Sequence, residues 1–216
     1  FTRVEVFIFF LFWYTTRMKV NDWMVRNVIT IGPGASVKDA LGIMKKHSLR
    51  HLPVVEDGVF VGLLTSGDVK QAILTCMLET MKVKEVMLTN PYTIRRENSL
   101  EDAARLVYEK NIGCLPVVED GRVMGILTVN DILKAFIDIM GVLKAGSRID
   151  VILKHVHGSF DEVVALIEAK GGFIISVGMS LNEDETVHHF RVSGGDCPAI
   201  AEELARLGYR GVKVVD

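Results

Sequence analysis

The chain has 216 residues, 49% hydrophobic and 24% charged, with a formal net charge of -2; at ~100–200 residues per domain this is room for one or two small domains. That balance excludes a disordered or fibrous chain, and Lys and Arg are scattered rather than gathered into the stripe that a nucleic-acid backbone or an anionic membrane requires. Cys76, Cys114 and Cys197 lie far apart with no C-x-x-C pair, so neither a disulfide framework nor a thiolate metal site is signalled, and a reduced, cytoplasmic setting is expected.

The chain opens on an aromatic-rich run, Val6 to Tyr14. It is shorter than the roughly 20 apolar residues of a membrane span, and it lacks the basic start and small-residue cleavage site of a signal peptide. Residues 1–17 read as an extension upstream of a natural start at Met18, with a membrane-peripheral anchor as the rival reading. From Met18 the sequence repeats itself at an offset of about 63 residues, without a gap, Met18–Leu74 matching Met81–Ile137. KVNDWM at 19–24 returns as KVKEVM at 82–87, LPVVEDG at 52–58 returns at 115–121, and GLLTSGD at 62–68 returns as GILTVND at 125–131.

Each repeat predicts β-α-β-β-α. An extended stretch around Thr30 or Thr93 leads to a helix whose N-cap is Ser36 or Ser99, followed three residues on by Asp39 or Asp102. Two strands follow, joined by an Asp-Gly that supplies the positive φ of a tight hairpin. Helices Asp68–Leu74 and Asp131–Ile139 close the units, and Gly141 to Gly146 interrupts the pattern. The tail begins with the apolar strand RIDVILK, a helix Ser159–Lys170 and a strand GFIISVGM. TVHHFRV, a helix Cys197–Leu207 with Pro198 in its first turn, and GVKVV complete a β-α-β-β-α-β order that fits a ferredoxin-like sandwich.

The paired L-P-V-V-E-D-G and G-[IL]-L-T-x-x-D segments resemble tandem CBS domains, together a Bateman module, over roughly Met18 to Met140. The tail resembles an ACT domain, and the CBS-CBS-ACT order is similar to bacterial acetoin utilization proteins of the AcuB type. The expected architecture is α/β (α+β): a CBS unit at 18–80, a second at 81–140, packed about a pseudo-twofold axis, a linker at 141–147 and an ACT-like domain at 148–216. The resemblance implies a non-catalytic regulator, a homodimer whose clefts take an adenosyl ligand such as AMP, ADP, ATP or S-adenosylmethionine and which acts on its ACT-like domain or on a regulated enzyme. No cofactor, nucleic-acid partner or membrane partner is implied, and no Ser-His-Asp order, Walker loop, G-x-G-x-x-G or Cys-His motif argues for catalysis.

In that reading Asp68 and Asp131, three residues after Thr65 and Thr128, accept hydrogen bonds from both ribose hydroxyls. The neighbouring hydroxyl and the first-turn N–H groups face a phosphate. The competing reading is structural: T-x-x-D as a capping box. Thr30 and Thr93 stand where the chain passes beside the nucleotide in the family, and the backbone at Leu52-Pro53 and Leu115-Pro116 lines the adenine slot, although these are also ordinary strand residues. Arg50-His51 precede Leu52 where Gly113-Cys114 precede Leu115, so the two clefts are expected to differ, the first preferring a phosphorylated ligand. Arg95 and Arg96 read as a solvated loop.

In the tail His157-Gly158 occupies the place where ACT domains show D-x-P-G, with His155 and His157 in place of Asp and Pro. That weakens the case for an amino-acid site there and favours a structural or dimerising domain. His188 and His189 are adjacent on a strand and point to opposite faces, and no carboxylate stands out as a further ligand, so no metal is expected. The rival functions are a constitutive dimerisation scaffold with unoccupied clefts and an amino-acid sensor working through the ACT-like domain.

Overall fold

The computed structural model describes residues 18–74, 80–154, 156–182 and 185–215; the aromatic run, Cys76 and His155 lie outside them. The chain divides into two compact units, one through Leu133 and one from Lys134. Among the described residues no helix is long and apolar enough to cross a membrane.

The first unit contains the repeat, apart from the end of its last helix, which runs past Leu133. Its elements are α1 (Val20–Trp23), α2 (Val37–His47), β1 (His51–Glu56), β2 (Val59–Thr65) and α3 (Ser66–Leu74). They recur as α4 (Val83–Val86), α5 (Leu100–Lys110), β3 (Cys114–Glu119), β4 (Arg122–Thr128) and α6 (Val129–Ile139). Ser36 caps α2 by accepting from the Asp39 N–H at 3.0 Å while Asp39 accepts in return from the Ser36 N–H at 3.3 Å, and Ser99 accepts from the Asp102 N–H at 3.0 Å. Asp57 and Gly58, with φ of 48° and 81°, and Asp120 and Gly121, with 47° and 74°, close the antiparallel hairpins β1-β2 and β3-β4 with two-residue turns.

The expected leading strands are each reduced to one parallel bridge, Ile31 to Val54 and Ile94 to Val117. Gly32-Pro33-Gly34 ends the first at once, and Pro91, with no N–H to give, precedes the second. The closing helices begin two residues earlier than expected, at Ser66 and Val129, because Thr65 and Thr128 already act as caps.

The leading segment of each repeat packs on the other repeat. Lys19 bridges Ser99 and Lys82 bridges Ser36; Val25 bridges Ile126 and Leu88 bridges Leu63. Each pair maps onto its counterpart when the two repeats are exchanged, which is the reciprocity of a twofold contact within one chain. Val83 accordingly joins the first repeat's core, with Val37, Ala40 and Met44 of α2, Leu52 and Val54 of β1, Leu64 of β2, and Val69 and Ala72 of α3. Leu63, Cys114 and Ile126, with Val28 against them, form a separate apolar cluster where the halves meet.

The second unit contains β5 (Ser147–Ile152), α7 (Ser159–Ala169), β6 (Phe173–Asn182), β7 (Glu185–Ser193), α8 (Cys197–Arg206) and β8 (Arg210–Val215). Its sheet runs β6-β7-β5-β8 with every neighbouring pair antiparallel. Ile149 and Val151 of β5, Phe190 and Val192 of β7, Val163 and Ile167 of α7, and Ile200 and Leu204 of α8 are all 0% exposed and make the core. Fully burying such side chains contributes ~1.5–3 kcal/mol each. Asp196 caps α8 by accepting from the Ala199 N–H at 3.0 Å, with Pro198 in the first turn, as the sequence predicts.

Candidate functional site

The hairpin register sets His51 opposite Thr65 and Cys114 opposite Thr128, so each strand start lies beside its T-x-x-D turn. The Thr65 N–H and hydroxyl both donate to Asp68 Oδ2, at 2.8 and 2.7 Å, while the Asp68 N–H donates to Thr65 Oγ1 at 3.3 Å. Thr128 and Asp131 repeat this at 2.9, 2.6 and 3.3 Å. One carboxylate oxygen is thus consumed by the helix cap, and among the described residues Oδ1 of neither aspartate has a bonded partner.

The cap and a ligand contact therefore use different oxygens of one carboxylate, and the two readings of T-x-x-D are compatible. The first-turn donors are less available than the sequence suggests. The Ser66 N–H is bonded to the Arg50 carbonyl at 2.8 Å, the Val129 N–H to the Gly113 carbonyl at 3.2 Å, and the third-position N–H groups to the threonine hydroxyls. A phosphate here would depend on side-chain cations instead.

Arg50 is exposed and His51 half-buried. A Cβ on Gly113 would lie 3.0 Å from His51 Nε2, so the histidine of the first repeat rests against the residue that corresponds to Arg50 in the second. Burial, and secondarily the Arg50 charge, hold His51 below its ordinary range against the opposing pull of Asp68. Cys114, the counterpart of His51, is 3% exposed, inside the cluster between the halves, and burial pushes its thiol up to about 12.

Thr30 and Thr93 are exposed beside the bridges at Ile31 and Ile94. Leu52 and Leu115 are 0% exposed, and Pro53 and Pro116 are buried, so only their backbone is left for a ligand. A cavity of about 930 Å³ lies elsewhere. It sits between α5, the loop at Thr93–Asn98 and the β3-β4 turn, and of the expected site residues it includes Thr93 alone.

In the second unit His157 is exposed and Gly158, at φ 86°, caps α7 with no side-chain bond. His189 does have a carboxylate beside it, contrary to expectation: its Nδ1 lies 2.6 Å from Asp150 Oδ1, its Nε2 2.7 Å from Ser180 Oγ, and Arg148 donates twice to Asp150 at 2.8 and 3.1 Å. The chain Ser180–His189–Asp150–Arg148 ties β6, β7 and β5 together on the sheet face opposite the helices, and none of its members lines either described cavity. Its members are 9 and 39 residues apart, brought together only by strand register. No group of three or more His, Cys, Asp or Glu among the described residues is placed to hold a metal ion.

The CBS domain family model matches residues 20–75 and 83–138, slightly more than half of the chain. The chain is a CBS-domain protein. Its CBS pair resembles the acetoin utilization protein AcuB of Vibrio cholerae (TM-score 0.53, 28% identical, 58% of this chain and 95% of that one). It also resembles CBSX2 in complex with AMP (0.50, 33%, 56% and 97%). The CBS domain pair of protein MJ0100 with 5'-methylthioadenosine and S-adenosyl-L-methionine is similar too (0.51, 33%, 55% and 98%).

Among curated relatives, homoserine O-acetyltransferase of Methanohalobium evestigatum is 36% identical over 115 residues, 52% of this chain and 23% of that protein. Inosine-5'-monophosphate dehydrogenase of Methanocaldococcus jannaschii is 33% identical over 154 residues, 70% of this chain and 30% of that protein. This chain thus spans under a third of either enzyme, and the likeness runs through their CBS regions. The C-terminal sheet lies outside the matched family model.

Proposed function

We propose that this CBS pair is a sensor for an adenosyl ligand, AMP, ADP, ATP or S-adenosylmethionine, held in one or both clefts with Asp68 and Asp131 on the ribose hydroxyls. The observation that carries the reading is the twice-built T-x-x-D turn, in which Oδ2 fixes the carboxylate and Oδ1 has no bonded partner among the described residues. The AMP complex of CBSX2 and the nucleoside complexes of MJ0100 support the ligand class. Arg50 and His51 favour a phosphorylated ligand in the first cleft, Gly113 and Cys114 a weaker or uncharged one in the second.

The C-terminal unit is read as an ACT-type, ferredoxin-like domain, supported by its β-α-β-β-α-β order and by a central β5 flanked by β7 and β8. The sensor acts through the differential affinity of the ligand for two arrangements of the chain, transmitted to this domain or to a partner enzyme. One observation favours a scaffold instead: in both T-x-x-D turns the aspartate is bonded to its own threonine, so each turn is accounted for as a helix cap. A thermal-shift panel with AMP, ADP, ATP, S-adenosylmethionine and amino acids separates the readings. Stabilisation by an adenosyl compound supports the sensor, by amino acids alone moves sensing to the C-terminal unit, and by none of them favours the scaffold.

A further inference from the structure

The C-terminal sheet face opposite the helices holds a polar row outside the CBS pair. Asp150 of β5 stands opposite His189 of β7, which stands opposite Gly178 of β6, and Ser180 follows Gly178 by two residues on the same face. Gly178 presents no side chain, so the imidazole reaches across it to its diagonal neighbour, and His189 Nε2 lies 2.7 Å from Ser180 Oγ. On the other side of the ring, Nδ1 lies 2.6 Å from Asp150 Oδ1.

Charge sets the direction of both bonds. Asp150 is paired with the Arg148 guanidinium through two bonds, at 2.8 and 3.1 Å, and a carboxylate so paired can only accept. The proton of the neutral ring therefore sits on Nδ1, and Nε2 is left to accept from the Ser180 hydroxyl. A hydroxyl bonded to a base whose ring is oriented by a carboxylate is the arrangement that activates a serine. Here the three groups follow the chain order Asp150, Ser180, His189, and only strand register brings them together.

The surroundings suit a carboxylic ester. Ser180 is exposed, so a carbonyl carbon can approach its Oγ from solvent. β6 is outermost in the sheet among the described residues, and every second N–H of an edge strand points away from its neighbour. Either the N–H of Ser180 or those of the residues on both sides of it are thus open beside Oγ to receive a developing oxyanion. Val187, opposite Ser180, supplies apolar contact, as does the Met140 methyl, 3.7 Å from where a Cβ on Gly178 would stand.

We propose that Ser180 is an activated nucleophile that takes the acyl group of a small apolar carboxylic ester, with His189 as its base and Asp150 as the residue that positions the ring. Ser180 Oγ bonds to the carbonyl carbon while its proton passes to His189 Nε2. The C–O bond to the alcohol then breaks, and the alcohol leaves with that proton. Water attacks the acyl-serine in the same way, giving its proton to Nε2, and the acid departs as the proton returns to Ser180 Oγ. This chemistry is separate from any ligand in the CBS clefts.

The test is reaction of the full chain with a fluorophosphonate, read by intact mass and peptide mapping, and with para-nitrophenyl acetate, read by nitrophenolate release. The proposal expects a single phosphonyl group at Ser180, none at the buried Ser176, and loss of the label in Ser180→Ala, whose exposed position leaves the core intact. His189→Gln should slow labelling and nitrophenolate release about 100-fold or more. Asp150→Asn should slow both about tenfold or more, and Asp150→Glu, which keeps the charge, should restore part of the rate. No label on the parent, an unchanged label in Ser180→Ala, or a rate unaffected by His189→Gln would overturn it.

Discussion

Val25 and Ile126 exchange two backbone hydrogen bonds, at 2.9 and 3.0 Å, although they belong to different copies of the repeat. Leu88 and Leu63 make the same exchange at 2.9 and 2.9 Å. The two halves are therefore clasped by their leading segments, and the T-x-x-D turns at Asp68 and Asp131 are built on a pair whose halves brace each other.

The clasp depends on two glycines. A Cβ on Gly62 would lie 2.8 Å from the Leu88 carbonyl oxygen, and one on Gly125 would lie 2.9 Å from the Val25 carbonyl oxygen and 2.7 Å from Met24 sulfur. Gly62→Ala and Gly125→Ala are each expected to cost about 1–3 kcal/mol through overpacking, read as a lower denaturant midpoint. Gly42→Ala, inside α2 with nothing within 4 Å, should raise stability by about 0.5–1 kcal/mol. Equal effects of all three would refute the close-approach account.

His51 gives the first repeat a pH signature. Its folded value is held below the ordinary 6.5, so the unfolded chain binds the proton more readily, and the contribution to stability is present above pH 6.5 and lost as pH falls through the folded value. Urea unfolding at stepped pH should show this loss in the parent and its absence in His51→Gln. A slope that survives the substitution would assign it to another group.

Asp150 gives the C-terminal sheet the matching acid sensitivity. Burial pushes its carboxyl up, but the bonds from His189 and Arg148 outweigh that and hold it below the ordinary 3.8. Its contribution is therefore present above pH 3.8 and lost as pH falls through the lower folded value. Asp150→Asn should cost about 1–3 kcal/mol at neutral pH, with the difference from the parent shrinking in acid. A difference that stays constant with pH would contradict the ionic account.

Much of this architecture is legible in the sequence, for local reasons. The Asp-Gly turns, the serine caps and the T-x-x-D junctions are short-range chemistry, and the structure places each where its residues predict. The clasp is not legible that way. A repeat shows which residues correspond, but not on which copy a segment packs, and only the recurrence of glycine at 62 and 125 within strands hints at a close backbone approach. The bond between His189 and Asp150 depends on the register of β7 against β5 across 39 residues, which no local pattern encodes. The burial of Cys114 between the halves likewise depends on the clasp.

If Asp68 and Asp131 hold both ribose hydroxyls, the sugar itself becomes a probe. AMP should stabilise the chain more than 2'-deoxy-AMP, by about 1–3 kcal/mol of binding free energy per site for a hydrogen bond to a charged acceptor. Equal melting shifts from the two nucleotides would remove the carboxylates from the sugar.

Titration calorimetry of AMP into the full chain, Asp68→Ala, Asp131→Ala and the double variant tests the sensor most directly. The account predicts that the parent binds, that Asp68→Ala loses the tighter, phosphate-preferring site, and that the double variant does not bind. Unchanged binding in the double variant, or no heat from any adenosyl compound with the parent, would contradict it.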